Sequence, residues 1–227
     1  LTIDEIVSLT KMPKTTVYRI LYTLEKRGLI RYNRLLNQYY LGFKFLEYSD
    51  SISESIDLLQ ESTYYLMKLY KNVKQTVLLA LVDGDSLVYI FKKEKVTEGL
   101  SYTSSVGKRR HLLYGALGRV ALAFMSDEKR EKIIEEPLPK WTPHTITDKK
   151  QLLEQLKKIR EEKVCVEKEE AAVGVLGIAS PIFDINGHNI AVVGVLGPAV
   201  TINDKMIEET KRLCKETAQL ISRNIGY

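Results

Sequence analysis

Residues 13–28 read PKTTVYRILYTLEKRG. Val17, Ile20, Leu21 and Leu24 recur at helical spacing and gather into one apolar stripe at about 100° per residue. The opposite face carries Thr15, Tyr18, Arg19, Tyr22 and Lys26, with Thr16 at its edge. An ordinary solvated helix favours Glu and Lys pairs on its outer face. This face has a guanidinium, an ammonium, two phenols and a hydroxyl, and no acid. It is suited to contact with another molecule.

On the N-terminal side, TIDEIVSLT places Thr2 three residues before Glu5, the spacing of a capping box, and a short helix from about Ile3 to Leu9 is expected. Thr10, Lys11 and Met12 break that pattern. Pro13 then reads as a first-turn residue of the second helix, and Gly28 as its C-terminal cap. Two helices joined by about three residues make a helix-turn-helix. Beyond Gly28, LIRY and QYYLG alternate like strands around RLLNQ, which predicts a hairpin, or wing, with Arg31, Arg34, Asn37 and Gln38 near its tip. The chain starts at Leu1, so a short preceding piece belonging to this first domain is expected to be absent.

Charge separates this segment from the rest. The 227 residues carry a net charge of +5. Residues 1–44 hold eight Lys or Arg against three Asp or Glu, whereas residues 45–227 hold 26 of each. The whole excess sits in the first fifth of the chain, which points to a polyanion as that segment's partner. The 44% hydrophobic and 28% charged composition is that of a globular protein, and no apolar run reaches the roughly 18 to 20 residues of a membrane span. The cytoplasm is the expected compartment. Cys165 and Cys214 lack metal-type spacing and read as buried thiols.

From Phe43 to about Asn72 the pattern is helical, broken by the polar run SDSISES. QTVLLALV and SLVYIFKK flank Asp83-Gly84-Asp85, a hairpin signal. SSVGKRRHLLYGALGRVALAFMS passes from a loop into a helix of small residues, and Ser126 is placed to cap the helix that follows. DKKQLLEQLKKIREE is amphipathic. KVCVEKEE, GVLGIASPIFD and NIAVVGVLGP supply three strands, the last two joined at INGH, and Asn203 starts a long closing helix. The expected architecture is α+β: residues 1–44 a winged helix-turn-helix, residues 45–72 a linker and entry helix, and residues 73–227 a mostly antiparallel sheet flanked by helices.

In a winged helix-turn-helix, the second helix enters the major groove of duplex DNA, where Arg pairs with guanine edges and hydroxyls meet bases or phosphates. Thr15, Thr16, Tyr18, Arg19, Tyr22 and Lys26 occupy that helix. Lys11, Lys14, Arg31 and Arg34 are placed for phosphate contacts, with Asn37 and Gln38 beside the wing.

LTIDEIVSLTKMPKTTVYRILYTLEKRGLI with the following YYLGFKFLE resembles the helix-turn-helix of the IclR family of transcription regulators. VGKRRHLLYGALGRVALA, TPHTITD and KVCVEKEEAAVGVLGIASPIFDINGHNIAVVGVLGPA resemble that family's later segments in the same order, so the resemblance covers nearly the whole chain. It implies a GAF-like domain that binds a small-molecule effector and assembles as a homodimer or a dimer of dimers on a near-palindromic operator. By position, the family's acidic pocket residue falls on Glu167 and its cysteine on Gly177. Its paired hydroxyls fall on Gly194 and Leu196, and other pocket positions fall on Arg110, His111, Ala116, Leu117 and Val175. With three polar groups replaced, a roomier, more apolar pocket is expected, one that takes a larger or aromatic ligand, or none. Some relatives hold zinc in this pocket, but the spacing of His111 and Glu167 gives no support for it, so neither a metal nor a cofactor is expected.

An enzyme is disfavoured: no Gly-rich phosphate cradle, nucleophile elbow or metalloprotease motif occurs. The competing reading is a metabolite sensor whose basic head contacts protein or nucleic acid nonspecifically. An oligomeric scaffold is a third.

Overall fold

The computed structural model describes residues 1–48, 57–94, 104–135 and 137–226. They fall into two compact units, Leu1–Asp57 and Leu58–Tyr227.

In the first unit, α1 (Ile3–Thr10) begins with the capping box, Glu5 N–H donating to Thr2 Oγ1 and Thr2 N–H to the Glu5 carboxylate. Helix α2 spans Lys14–Lys26. Pro13 lies one residue outside it, as the N-cap, with its carbonyl accepting from Thr16 and Val17. Gly28, at φ +71°, closes α2: its N–H reaches Glu25 O and the Leu29 N–H reaches Leu24 O, a pair of bonds that needs a left-handed residue between them. Val17 and Leu21 are buried, while Ile20, at the edge of the stripe, is 44% exposed. Strands β1 (Ile30–Asn33) and β2 (Gln38–Leu41) pair antiparallel, with Asn33 Oδ1 accepting from Leu35 and Leu36 to hold the turn. Residues 44–48 are helical. The polar break at residues 49–55 lies outside the described residues.

In the second unit, α3 (Asp57–Val73) buries Leu58, Leu66 and Leu69. A six-stranded sheet follows, built from β3 (Thr76–Asp83), β4 (Ser86–Lys93), β5 (Arg109–His111), β6 (Cys165–Lys168), β7 (Val175–Phe183) and β8 (Asn189–Pro198). The strand order is β5-β4-β3-β8-β7-β6, and every pairing is antiparallel. KRRH, expected as loop, supplies the short edge strand β5.

Helix α4 (Gly115–Phe124) packs on β6, β7 and β8, and α6 (Lys149–Glu162) packs on α4. Between them α5 (Asp127–Ile133) starts after Ser126, whose hydroxyl makes no capping bond. Asp148 and Asn203 do cap, accepting from Gln151 and Met206 at the starts of α6 and of α7 (Asp204–Asn224). Helix α7 lies against β7 and β8, where Cys214 Sγ reaches Ile178 O at 4.0 Å and Val193 O at 3.7 Å. Strand alternation divides the sheet. Gly177 faces Ala116 of α4, and Ser180 faces α7. Both cysteines are buried and unbridged.

Candidate functional site

Two regions carry the chemistry, one in each unit. In the first, Thr15, Thr16, Tyr18, Arg19, Tyr22 and Lys26 are all exposed along α2. Lys26 Nζ sits 5.3 Å from the centre of the Tyr22 ring. Lys14 is held by Asp4 at 2.6 Å, a solvent-exposed pair of small energetic weight. Lys11 is exposed in the left-handed residue that ends α1. Arg34 is exposed in the wing turn beside Leu35, which is 96% exposed.

Arg31 differs from the sequence expectation. It pairs with Tyr40, back from the closing Asn33–Gln38 pair rather than at the tip, and its guanidinium lies over the Tyr40 and Phe43 rings at 5.7 and 4.8 Å. Asn37 and Gln38 accept from the hydroxyls of Tyr32 and Tyr40, so both side chains shape the hairpin.

The second region is a cavity between the start of α4, β6, β7, β8 and the loop at residues 169–174. Ala116, Leu117, Glu167, Val175 and Leu196 line it, joined by Tyr89, Ser104, Tyr114, Gly115, Ala171 and Ala172, which the sequence did not single out. Glu167 is 2% exposed. One carboxylate oxygen accepts from the backbone N–H of Glu170 and, at 2.9 Å, of Ala171. Burial nevertheless raises the carboxyl above its usual range, because the loss of solvent outweighs those two donors. Across the cavity, Tyr114 is the N-cap of α4 and makes no side-chain capping bond, and the first helical residues Gly115, Ala116 and Leu117 line the cavity, which puts the positive end of the helix there. Tyr89 meets the side chains of Ser104 and Arg110, and burial raises its phenol.

Behind the cavity, Arg119 of α4 is 2% exposed and donates to Glu170 at 2.6 Å and to Gln155. Thr142 and Thr145 donate to the Glu169 and Glu170 carbonyls at 2.7 and 2.6 Å. These bonds fix the loop that presents Ala171 and Ala172.

Two expectations are corrected by this geometry. His111 does not line the cavity: alternation along β5 turns it away from Arg110, and its exposed ring accepts from the Leu113 N–H at 3.3 Å. Arg110 instead reaches the wall, 5.0 Å from the Tyr114 ring centre. The cavity is also not roomier. A Cβ on Gly194 would lie 2.5 Å from Leu117 Cδ1, and one on Gly177 would lie 3.2 Å from Ala116 Cβ and 3.3 Å from Glu167 Oε2. The neighbours have filled the space, leaving a cavity of about 90 Å³. That is below the roughly 150 Å³ of an apolar cavity that holds benzene. Among the described residues no cluster of His, Cys, Asp and Glu could hold a metal ion.

Comparison with known proteins adds the decisive observation. The family described as the IclR helix-turn-helix domain matches residues 1–34, and the one described as bacterial transcriptional regulator IclR C-terminal matches residues 51–223. The chain belongs to the IclR family. It is 30% identical over 226 residues to the HTH-type transcriptional regulator KdgR of Escherichia coli, covering 99% of this chain and 86% of KdgR. The crystal structure of the Thermotoga maritima IclR superposes with a TM-score of 0.79 at 31% identity, covering 100% of this chain and 92% of that one. An IclR homolog from Microbacterium hydrocarbonoxydans, crystallised with 4-hydroxybenzoate, shares the fold at a TM-score of 0.85 and 21% identity, over 99% of this chain and 90% of that one. This IclR-family chain is a transcription regulator, not an enzyme, with an N-terminal DNA-binding domain and a C-terminal effector-binding domain. No helix among the described residues is long and apolar enough to cross a membrane.

Proposed function

We propose that the protein is a sequence-specific regulator that binds a near-palindromic operator as a homodimer or dimer of dimers, under control of a compact effector held in the cavity around Glu167. The observation that carries the DNA reading is the α2 face: Thr15, Tyr18, Arg19, Tyr22 and Lys26 are exposed together, with the one acid of the helix, Glu25, at the edge of its last turn. Arg19 takes the base-reading role, and Lys11, Lys14, Arg31 and Arg34 meet phosphates. Residues 1–44 form the DNA-binding domain, 45–72 the linker and 73–227 a GAF-like effector domain. In the cavity, Glu167 accepts from a ligand donor, while the α4 N-terminus and Arg110 favour an acceptor or an anionic group. Two-fold pairing of the heads brings two half-sites into register. The effector changes DNA affinity by the difference in its own affinity for the two arrangements.

The test is fluorescence anisotropy on DNA from the protein's own upstream region against scrambled DNA at two salt concentrations. A preference of at least about a thousandfold is expected. Equal, steeply salt-dependent binding to both would reduce the head to a nonspecific polycation, and no binding would favour the sensor reading. Effector entry has its own readout. Trp141, the only tryptophan of the chain, packs edge-on against Tyr114 with ring centres 5.1 Å apart. A ligand that moves Tyr114 changes Trp141 fluorescence.

A further inference from the structure

A second cavity lies on the α7 face of the sheet, lined by Lys163, Ser180, Phe183, Lys215, Ser222 and Arg223 among others. Its walls are mostly carbon, and its volume is about 130 Å³. That is close to the roughly 150 Å³ that accommodates a benzene ring. No carboxylate lines it. The acids around it are engaged elsewhere: Glu216 with Arg212 at 2.7 Å, Glu208 with Lys211 at 2.9 Å and Glu162 with Lys158 at 3.7 Å. Among the described residues Lys163, Lys215 and Arg223 have no ion pair, and Lys163 Nζ instead rests 5.6 Å from the Phe183 ring centre.

Ser180 adds an independent observation. It is fully buried, and its hydroxyl makes no well-aligned hydrogen bond to oxygen or nitrogen. A buried hydroxyl left unpaired is costly, and native structures retain few of them. Its polar neighbour is the Cys214 thiol, on which Ser180 acts as a hydrogen-bonding group, although Cys214 Sγ also contacts the Ile178 and Val193 carbonyls. Ser222, on the other wall, is satisfied, accepting from Phe183 N–H at 3.0 Å and donating to Ala218 O at 2.8 Å.

We propose that this cavity is a second ligand site, for a small organic carboxylate with a ring-sized apolar body. The body occupies the carbon-lined space, and the carboxylate meets Lys215 and Arg223 at the rim. A few cations around a mostly apolar depression suit this ligand class. The site is separate from the Glu167 cavity, because β7 turns Gly177 toward α4 and Ser180 toward α7.

The probe is 4-fluorobenzoate, followed by ¹⁹F NMR on the whole chain. One bound signal is expected in the wild type, with its affinity falling about tenfold or more in Lys215→Glu/Arg223→Glu. Lys215 is half-buried at the cavity edge and Arg223 is exposed, and the thermal midpoint serves as the check on folding. Lys163 is left alone because it is the left-handed residue that ends α6. Ala116→Leu, which fills the Glu167 cavity, should leave the signal in place, and 4-fluorobenzyl alcohol, with no charge, should bind at least about tenfold more weakly than the acid. Absence of a bound signal overturns the proposal. So does a signal that survives the charge reversal, one that disappears in Ala116→Leu, or one that the alcohol reproduces at equal affinity. None of these outcomes depends on whether the protein binds an operator.

Discussion

Arg19 and Arg119 carry the same guanidinium in opposite surroundings. Arg19 is exposed on α2 with no ion pair among the described residues, whereas Arg119 is 2% exposed and bound to Glu170 and Gln155. A cation left in water beside hydroxyls and phenols retains its capacity for a partner. One enclosed by α4, α6 and the 169–174 loop has spent that capacity inside the fold. The basic head and the effector cavity differ in the same way: the head offers groups on a surface, and the cavity creates an environment by burial.

The largest expected effect tests the buried side of this contrast. Arg119→Met leaves the partly buried Glu170 without its cation and should destabilise the protein by up to about 3–5 kcal/mol, with Arg119→Met/Glu170→Gln recovering much of the loss. Urea denaturation measures both, and an unchanged midpoint in the single variant would mean that the pair does not hold the loop. Gly194→Val forces its side chain against Leu117 and should cost about 1–3 kcal/mol. If Gly194→Val instead proves neutral while the cavity shrinks, Leu117 is mobile enough to have yielded.

Arg19→Ala tests the exposed side. It should leave the denaturation midpoint within about 0.5 kcal/mol and weaken operator binding by about 1–3 kcal/mol, relaxing preference at one base position. An equal loss on random DNA moves Arg19 to the phosphate contacts.

Glu167→Gln should give the smallest change, visible mainly in its pH dependence. The folded chain holds the Glu167 proton more tightly than the usual value of 4.5, so the wild type loses stability as pH rises from 4.5 through the folded value. Glutamine does not ionise, so the stability difference should move in favour of the variant as pH rises above the usual carboxyl value of 4.5. A flat difference would show that burial does not govern this carboxyl.

The two regions also differed in how far sequence could reach them. The capping box at Thr2, the closing glycine at Gly28 and the stripe through Val17 and Leu21 act within a few residues, so spacing alone revealed them. Ile20 was the exception, because whether the rim of a stripe is covered depends on what packs there. Strands β3, β4, β7 and β8 were legible from apolar runs and turn residues, while β5 was not: two arginines and a histidine have no strand signature until Ser86, Leu87 and Val88 pair with them.

The cavity shows the limit most clearly. Glu167 was found by its position, but Tyr89, Ser104 and Tyr114 come from separate segments and carry no common motif. The loss of side chains at Gly177 and Gly194 suggested empty space, and only packing reveals that Ala116 and Leu117 have entered it.

Sequence alone determined the helix-turn-helix, the basic head, the strand-rich body and the family, because these rest on local spacing, charge counts and ordered segments. Tertiary structure alone decided which arginine is free, how small the Glu167 cavity is, and that three cations and a buried Ser180 share the α7 face. Those properties belong to contacts between residues far apart in the chain, where burial and partner choice set the energy of each group.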